Sequence, residues 1–248
     1  MMTIRDVSGE KRRYAMERIF FHDVLNTVQK MRIAADMLNE NDGSDDELLR
    51  RVIQKSVTRL TEEILAQRDL SEMENGELAI RANEIRSRET LTDLVESYFE
   101  QGLARGHRIQ LADDTADVPF VVDETKLRRV LDNMLKNALE AEDAEATITV
   151  GCRVLLSDLD QGRTRDTVEF WVHNPRVMSE AVRWQVFRRS FTTKGKGRGL
   201  GTYSMKVLTE RYLEGEIDFI SEPDQGTTFY ARYPVSPSYA QGETLSVT

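Results

Sequence analysis

The sequence holds a single cysteine, Cys152, among its 248 residues. One cysteine cannot form an intramolecular disulfide bond, and it argues against a metal cluster built on thiolates. Cys152 lies in a strand-like run, TITVGCRVLL, where packing in the core is the simplest role for its side chain.

Long apolar runs and an excess of positive charge are also absent. No stretch of about 18 apolar residues occurs, so the sequence predicts no transmembrane helix. The first residues, MMTIRDVSGEKRRYAM, have no apolar core of the kind found in signal peptides. The formal net charge is −9, which argues against general binding to nucleic acids or anionic membranes. These absences predict a cytoplasmic protein with no nucleic-acid partner and no membrane span.

The first third of the chain has the apolar spacing of two long helices. Apolar or small residues recur at intervals of three and four over residues 11–40 and again from about 47 to 71. The intervening segment NDGSDDE, residues 41–47, is typical of a turn. We therefore predict a helical hairpin within residues 1–75. Two hairpins that pair as a four-helix bundle would bury both apolar stripes, which predicts a homodimer.

A histidine, an aspartate and an asparagine lie near the start of the first helix, in the segment FHDVLN. His22 is one position away from the apolar stripe, so we expect its side chain to be at least partly exposed. A neutral imidazole is a nucleophile near pH 7, and the neighbouring Asp23 can accept its proton. Asn26 lies one turn further on. A surface histidine beside an ordinary helical aspartate is the alternative, and the pair taken alone does not exclude it.

From about residue 76 the pattern changes to short strands that alternate with helices, which predicts an α/β sandwich with helices against one sheet face over residues 76–235. The fold class of the whole chain is therefore α+β, and the tail 236–248 is predicted to be disordered. The predicted helices are Glu89–Leu103, 124–142, 179–187 and one that follows the glycines near residue 200. The predicted strands are 78–80, 107–111, 119–122, 146–157, 167–173, 215–221 and 227–234.

Two asparagines, Asn133 and Asn137, share one face of the helix that Asp123 is predicted to cap. Amide oxygens are suitable ligands for Mg²⁺, which keeps several water molecules and also binds the phosphates of a nucleotide. Two asparagines on a helix are otherwise unremarkable, so this pair carries weight only together with other motifs.

A glycine-rich basic loop precedes the next helical pattern, in the segment SFTTKGKGRGLGTYSMK over residues 190–206. Glycines let the main chain approach a ligand closely, and a helix start offers unpaired N–H groups. Together these features predict a phosphate-binding site, to which the lysines add charge. A flexible basic loop with a glycine turn is the alternative for the loop taken alone.

The order of these motifs resembles that of the sensor histidine kinases from about residue 12 to 234. FHDVLN is similar to the H box of that family, LDNMLKNALEA to the N box, and VFRRSFTTKGKGRGLGTYSMK to the F and G2 boxes with the ATP lid. The resemblance implies a dimeric hairpin that carries the phospho-acceptor histidine, followed by a GHKL-type ATP-binding domain. It implies an ATP-dependent protein histidine kinase with ATP and Mg²⁺ as cofactors and a response-regulator receiver domain as partner.

The resemblance also implies a role for individual residues. His22 would be the phospho-acceptor, Asp23 would accept its proton, and Asn26 would orient water for dephosphorylation of the regulator. Lys194 would reach the phosphates, and Thr228 matches a position that helps to hold adenine. Because no sensor domain is fused, we expect input from a separate sensory protein. The nucleotide-site residues implied in this way are Asn133, Asn137, His173, Asn174, Lys194, Gly197, Gly199, Leu200, Gly201 and Thr228, with the first two near Mg²⁺.

One stretch departs from the family pattern. Kinases of this family carry D-x-G-x-G before the F box, and that aspartate accepts a hydrogen bond from the adenine amino group, whereas this chain reads VHNPRVM over residues 172–178. Aligned without gaps, His173 takes the aspartate position and both glycines are lost. An Asn oxygen or a neutral His nitrogen accepts the same bond more weakly than a carboxylate does, so we expect ATP binding to be retained but weakened.

Two other functions fit parts of the sequence. A dimeric histidine phosphotransferase would keep the two-domain outline, relay phosphate between regulators and need no nucleotide. An ATP-gated scaffold or serine kinase on the related ATPase fold would leave His22 without a role.

Overall fold

The computed structural model describes residues 24–38, 46–54, 56–57, 60, 64, 71, 79–100, 102–104, 106–142, 145–156, 166–188 and 201–241. These residues fall into two compact units, one that ends at Ser71 and one that holds the described residues from Ala79 onward.

The first unit contains two helical segments, residues 24–38 (α1) and 46–54 (α2), at the positions where the sequence predicts helices. Arg51 pairs with Glu47 at 3.2 Å, one turn apart on the exposed surface of α2. Several large apolar side chains of these helices are more than half exposed. Apolar side chains at this spacing normally face a partner, so pairing with a second copy stays a prediction. The more exposed of them are Leu25, Ile33, Met37 and Leu48.

The second unit contains seven strands and four α-helices among its described residues. They are β1 Asn83–Arg86, α3 Ser87–Glu100, β2 Arg108–Leu111, β3 Pro119–Val122, α4 Glu124–Ala141, β4 Thr147–Leu155, β5 Thr167–Asn174, α5 Glu180–Arg183, α6 Gly201–Val207, β6 Glu216–Glu222 and β7 Gly226–Pro234, with a π-helix at Leu208–Tyr212 and a 3-10 helix at Ser238–Gln241. Five of the strands form a mixed sheet of order β2-β4-β5-β7-β6. Strand β2 runs parallel to β4, and the other neighbours are antiparallel. The two short strands β1 and β3 form a separate antiparallel ladder.

The helices cover one face of this sheet. The buried side chains of α4, Leu127, Leu131 and Leu135 among them, join one cluster with alternate residues of β4, β5 and β7. Cys152 belongs to this cluster, and burial raises the pKa of its thiol to about 11. The structure therefore confirms the predicted α/β sandwich and the core position of Cys152.

The start of α4 is fixed by Asp123, as the sequence predicts. Asp123 Oδ1 accepts a hydrogen bond from the Lys126 backbone N–H at 3.1 Å, and its Oδ2 pairs with Lys126 Nζ at 2.6 Å. The backbone N–H of Arg81 donates to the same Oδ2 at 2.7 Å. Burial disfavours the charge on Asp123, but these bonds outweigh burial and lower the pKa of the carboxyl.

Two predicted elements are wrong in position or length. The apolar run predicted as a strand at 78–80 is irregular in its described part, residues 79–80, and Ile80 packs on the core. The strand in this region, β1, begins at Asn83, because Asn83 pairs with Val122 of β3. The helix predicted over 179–187 spans only Glu180–Arg183. It ends there because the following turn directs Phe187 onto the rings of Phe219 and Phe229, at 5.9 and 6.1 Å.

Candidate nucleotide site

The two asparagines of α4 lie one turn apart beside the start of α6. Asn133 Nδ2 donates to the Arg129 carbonyl at 2.8 Å, which leaves Asn133 Oδ1 available as an acceptor or metal ligand. A Cβ atom added at Gly201 would lie 3.1 Å from this oxygen. The structure therefore brings Asn133 and Gly201 together, and the absence of a side chain at Gly201 permits the close approach.

The side-chain amide of Asn137 is buried, and its hydrogen-bonding capacity is not fully used. Within the described part of the chain, its Nδ2 has no hydrogen-bond partner, and the same holds for Ser204 Oγ of α6. An unsatisfied buried polar group costs about 1–3 kcal/mol, so such groups are rare unless a ligand or water satisfies them. Two of them in neighbouring helices fit a site for a polar ligand.

The pleat of β5 separates Asn174 from His173. Asn174 continues the buried series Val168, Phe170 and Val172, which faces the helices, and it is 3% exposed. His173 points to the opposite face, because successive side chains of a strand alternate between faces. On β7 the partner of Asn174 is Thr227, and the partner of His173 is Thr228.

His173 and Thr228 interact with each other on the open face of the sheet. His173 Nδ1 lies 3.0 Å from Thr228 Oγ1, next to Trp171 and Tyr230 in a shallow depression. Burial lowers the pKa of His173 below its ordinary value, which favours the neutral form of the ring. The structure does not bring these two residues together with Asn133 and Asn137, whose helix covers the other face. The role of His173 and Thr228 in holding a nucleotide stays a prediction.

The side chain of Asn174 is anchored by a residue that the sequence analysis missed. Asn174 Nδ2 donates to Glu142 Oε1 at 2.8 Å, and the backbone N–H of Arg176 donates to the same oxygen at 2.9 Å. Glu142 is the C-cap residue of α4, so this contact joins the end of the asparagine helix to the end of β5. No local pattern reveals it, because the two residues are 32 positions apart.

Thr227 and Ser221 hold the same turn from the other side. The Thr227 hydroxyl donates to the Arg176 carbonyl at 2.7 Å and shares a hydrogen bond of 2.8 Å with Ser221 Oγ. Ser221 Oγ also accepts from the Met178 backbone N–H at 2.8 Å. The alternation of β7 could have identified Thr227, since it shares its face with the core residues Phe229 and Ala231.

The remaining predicted site residues are Asn26 and six residues that the structure does not describe. Asn26 is an exposed residue of α1. The six residues outside the described part of the chain are His22, Asp23, Lys194, Gly197, Gly199 and Leu200.

The described residues fit the expected nucleotide and metal in their donor types. They contain no group of three or more His, Cys, Asp or Glu side chains able to hold a metal ion. Mg²⁺ at a nucleotide site needs only one or two protein oxygens besides the phosphates, and Asn133 Oδ1 meets that need. Across the part of the chain that the structure describes, no helix has the length and apolar character required to cross a membrane.

Comparison with known proteins finds a similarity between the second unit and one protein family. Residues 122–237 match the model of the histidine kinase-, DNA gyrase B-, and HSP90-like ATPases. The chain is 28% identical over 226 residues to the sensory histidine kinase/phosphatase NtrB of Rhizobium leguminosarum bv. phaseoli, which covers 87% of the chain and 56% of that relative. The chain spans between 33% and 56% of the length of the first curated relatives that it matches.

Solved structures of histidine kinases share the fold. The Acinetobacter baumannii histidine kinase AdeS superposes with a TM-score of 0.62 at 15% identity, over 86% of this chain and 98% of that one. Histidine kinase ThkA, solved in complex with the response regulator TrrA, superposes with a TM-score of 0.63 at 18% identity, over 92% of this chain and 62% of that one. Residues 122–237 are thus similar to the histidine kinase-, DNA gyrase B-, and HSP90-like ATPases, and the longer part of the chain is similar in sequence to a sensory histidine kinase.

Proposed function

We propose that this chain is an ATP-dependent protein histidine kinase of a two-component system. It autophosphorylates His22 and passes the phosphoryl group to an aspartate of a response regulator. The observation that carries the proposal is the short distance between Asn133 Oδ1 and Gly201, where an added Cβ atom would lie 3.1 Å from that oxygen. This proximity brings the asparagine helix next to the last glycine of the glycine-rich segment, and both residues lie within the stretch that matches the ATPase family.

The nucleotide would bind beside α4 and the start of α6, where Asn133 lies close to Gly201. Asn174 Oδ1 would accept the hydrogen bond of the adenine amino group, since Asn174 rather than His173 is on the side of the sheet covered by α4. Asn133 and Asn137 would lie near the phosphates. Asn137 Nδ2, which has no hydrogen-bond partner among the described residues, could then donate to a phosphate oxygen. Bound Mg²⁺ would neutralise phosphate charge, and Asn133 Oδ1 would hold the ion.

The phosphoryl transfer follows from the residue types. A nitrogen of the His22 imidazole attacks the γ-phosphorus of ATP, the bond to the bridging oxygen of ADP breaks, and Asp23 accepts the imidazole proton. Lys194 and the main-chain N–H groups of residues 197–201 stabilise the negative charge, and positioning supplies most of the rate enhancement. Asn26 would orient water in the reverse reaction, the dephosphorylation of the regulator.

The first unit would supply the dimer. Residues 1–75 form the dimerisation and phosphotransfer domain in this proposal, and residues 76–235 the catalytic domain. The exposed apolar side chains Leu25, Ile33, Met37 and Leu48 support a second copy as the partner of α1 and α2. The use of ATP implies a reaction in the cytoplasm.

The test is incubation of the full chain with γ-labelled ATP and Mg²⁺, followed by acid and base treatment of the product. The chain has only three histidines, His22, His107 and His173, so substitutions can locate the label. We expect acid-labile, base-stable label that His22→Gln abolishes. His173→Gln is the matched control and should label like the unchanged chain, because His173 lies on the open face of the sheet. Acid-stable label, or label that survives in His22→Gln, would refute the proposal.

A phosphate relay is the second candidate, favoured by the absence of D-x-G-x-G from VHNPRVM. A relay would take phosphate from a phosphorylated regulator onto His22 without nucleotide. Displacement of a fluorescent ATP analogue by ATP separates the two functions: no binding at millimolar nucleotide, together with phosphate uptake from a regulator, would establish the relay.

A further inference from the structure

The turn after β5 is held in place by Glu142 from the end of α4. Glu142 Oε1 receives two hydrogen bonds, from Asn174 Nδ2 at 2.8 Å and from the Arg176 backbone N–H at 2.9 Å. Glu142 accepts both, because an ionised carboxylate has no proton to donate. The contact therefore fixes both the backbone of the turn and the side chain of Asn174.

The orientation of the Asn174 amide follows from this contact. An amide has one oxygen and one nitrogen end, and only the nitrogen end can donate to a carboxylate. Rotation of the amide by 180° would place Asn174 Oδ1 at hydrogen-bond distance from Glu142 Oε1, so two acceptors would face each other. Glu142 thus keeps Oδ1 directed away from itself. Asn174 itself is buried, with 3% of its surface exposed.

We propose that Glu142 is a positioning residue that locks Asn174 Oδ1 as the acceptor for the adenine amino group, so that the Glu142–Asn174 pair replaces the single aspartate of the related kinases. The proposal rests on the ATP site described above. Adenine offers an amino donor at the position where guanine carries a carbonyl acceptor. A locked Oδ1 therefore selects adenine and rejects guanine, whereas an amide free to rotate can serve either base.

The pair has a second consequence, which concerns the aspartate that it replaces. Asn174→Asp restores the residue of the related kinases but places two carboxylates at the present distance of 2.8 Å. Like charges this close disfavour ionisation of both and push the turn apart. Asn174→Asp alone should therefore weaken ATP binding. The additional change Glu142→Gln should recover it, because the Gln amide donates to the new carboxylate.

The test is displacement of trinitrophenyl-ATP from the full chain by ATP and, separately, by GTP. The ratio of the two apparent dissociation constants is the readout. We expect Glu142→Ala to lower the preference for ATP over GTP by about tenfold, the effect of losing one hydrogen-bond discrimination of about 1.4 kcal/mol. Glu142→Gln should keep the preference, because its amide oxygen still accepts from Asn174 and Arg176. Thermal unfolding of each variant reports its folded state.

The outcomes separate this inference from the proposed function. Unchanged selectivity in Glu142→Ala, with equal losses for ATP and GTP, would show a merely structural contact and overturn the inference while the ATP site stands. Equal ATP affinity of Asn174→Asp with and without Glu142→Gln would overturn it as well, and this pair of variants decides the matter if Glu142→Ala does not fold. Failure of ATP to displace the analogue from the unchanged chain would instead refute the ATP site itself.

Discussion

Gly226 is the position where a single methyl group should do the most damage to the proposed site. Its φ is +74°, and an added Cβ atom would collide with the Asn174 carbonyl oxygen and lie 2.8 and 2.9 Å from the Pro175 backbone. Left-handed backbone costs a residue with a Cβ about 1–2 kcal/mol, and the lower entropy of the unfolded alanine chain offsets about 0.4–1 kcal/mol of this. The collision adds to this conformational cost, because the backbone atoms of Asn174 and Pro175 cannot rotate away as a side chain could.

Gly102 is a matched control for Gly226. Its φ is +64°, but an added Cβ would have no neighbour within 4 Å. Gly102→Ala should therefore change the free energy of unfolding by about 1 kcal/mol or less, whereas Gly226→Ala should lower it by about 2–4 kcal/mol. The difference between the two variants measures the collision at the turn.

Urea unfolding followed by tryptophan fluorescence measures this difference in the right part of the molecule. The chain has two tryptophans, Trp171 and Trp184, and both belong to the second unit. Gly226→Ala should also weaken ATP binding beyond any effect of Gly102→Ala, because the displaced turn carries Asn174. Equal stability of the two variants, or unchanged ATP affinity in Gly226→Ala, would refute the assignment of this turn to the site.

Three further predictions concern the same unit. Gly201→Ala should weaken Mg-ATP binding by about three- to tenfold with little change in stability, because its Cβ would lie 3.1 Å from Asn133 Oδ1. Displacement of the fluorescent ATP analogue measures the affinity, and an unchanged affinity would contradict this prediction. Asp123→Ala should lower the free energy of unfolding by about 1–2 kcal/mol at pH 7. The pKa of Asp123 is lower in the folded than in the unfolded chain, so its charge stabilises the fold fully above the unfolded pKa of about 3.9. The loss of unfolding free energy in Asp123→Ala, measured with urea, should therefore shrink as pH falls through the pKa of folded Asp123. A deficit independent of pH would contradict the role of the charge and of Lys126. Cys152, whose pKa burial raises to about 11, should not react with a disulfide reagent at pH 8 until urea unfolds the chain.

Features decided by local chemistry could be predicted from the sequence. Helix α4 and its Asp123 cap follow from apolar spacing and from one side chain that bonds an N–H three residues on. The β4–β5 pair follows from two strand patterns around a polar turn, because neighbouring strands in sequence tend to pair. These elements already placed the asparagine helix against the sheet, which is the framework of the site.

Features decided by distant pairing could not be predicted. Strand β1 exists because Asn83 pairs with Val122, and the more apolar run at 78–80 drew the prediction to the wrong place. The sheet face on which His173 lies could not be predicted for a related reason. A shift of one residue moves a side chain to the other face, and only the register of β5 with β7 reveals which residue faces the helices. The Glu142 contact depends on the same register.

The position of the phosphoryl group after reaction with Mg-ATP tests the kinase proposal most directly. The full chain is incubated with ATP, digested at neutral pH and sequenced by mass spectrometry under conditions that preserve phosphohistidine. The proposal predicts phosphate on the peptide that contains FHDVLN, localised to His22 and absent when the chain carries Asn133→Ala. Phosphate on a serine or threonine would contradict the proposal. Equal phosphorylation of His22 in the unchanged chain and in Asn133→Ala would contradict it as well.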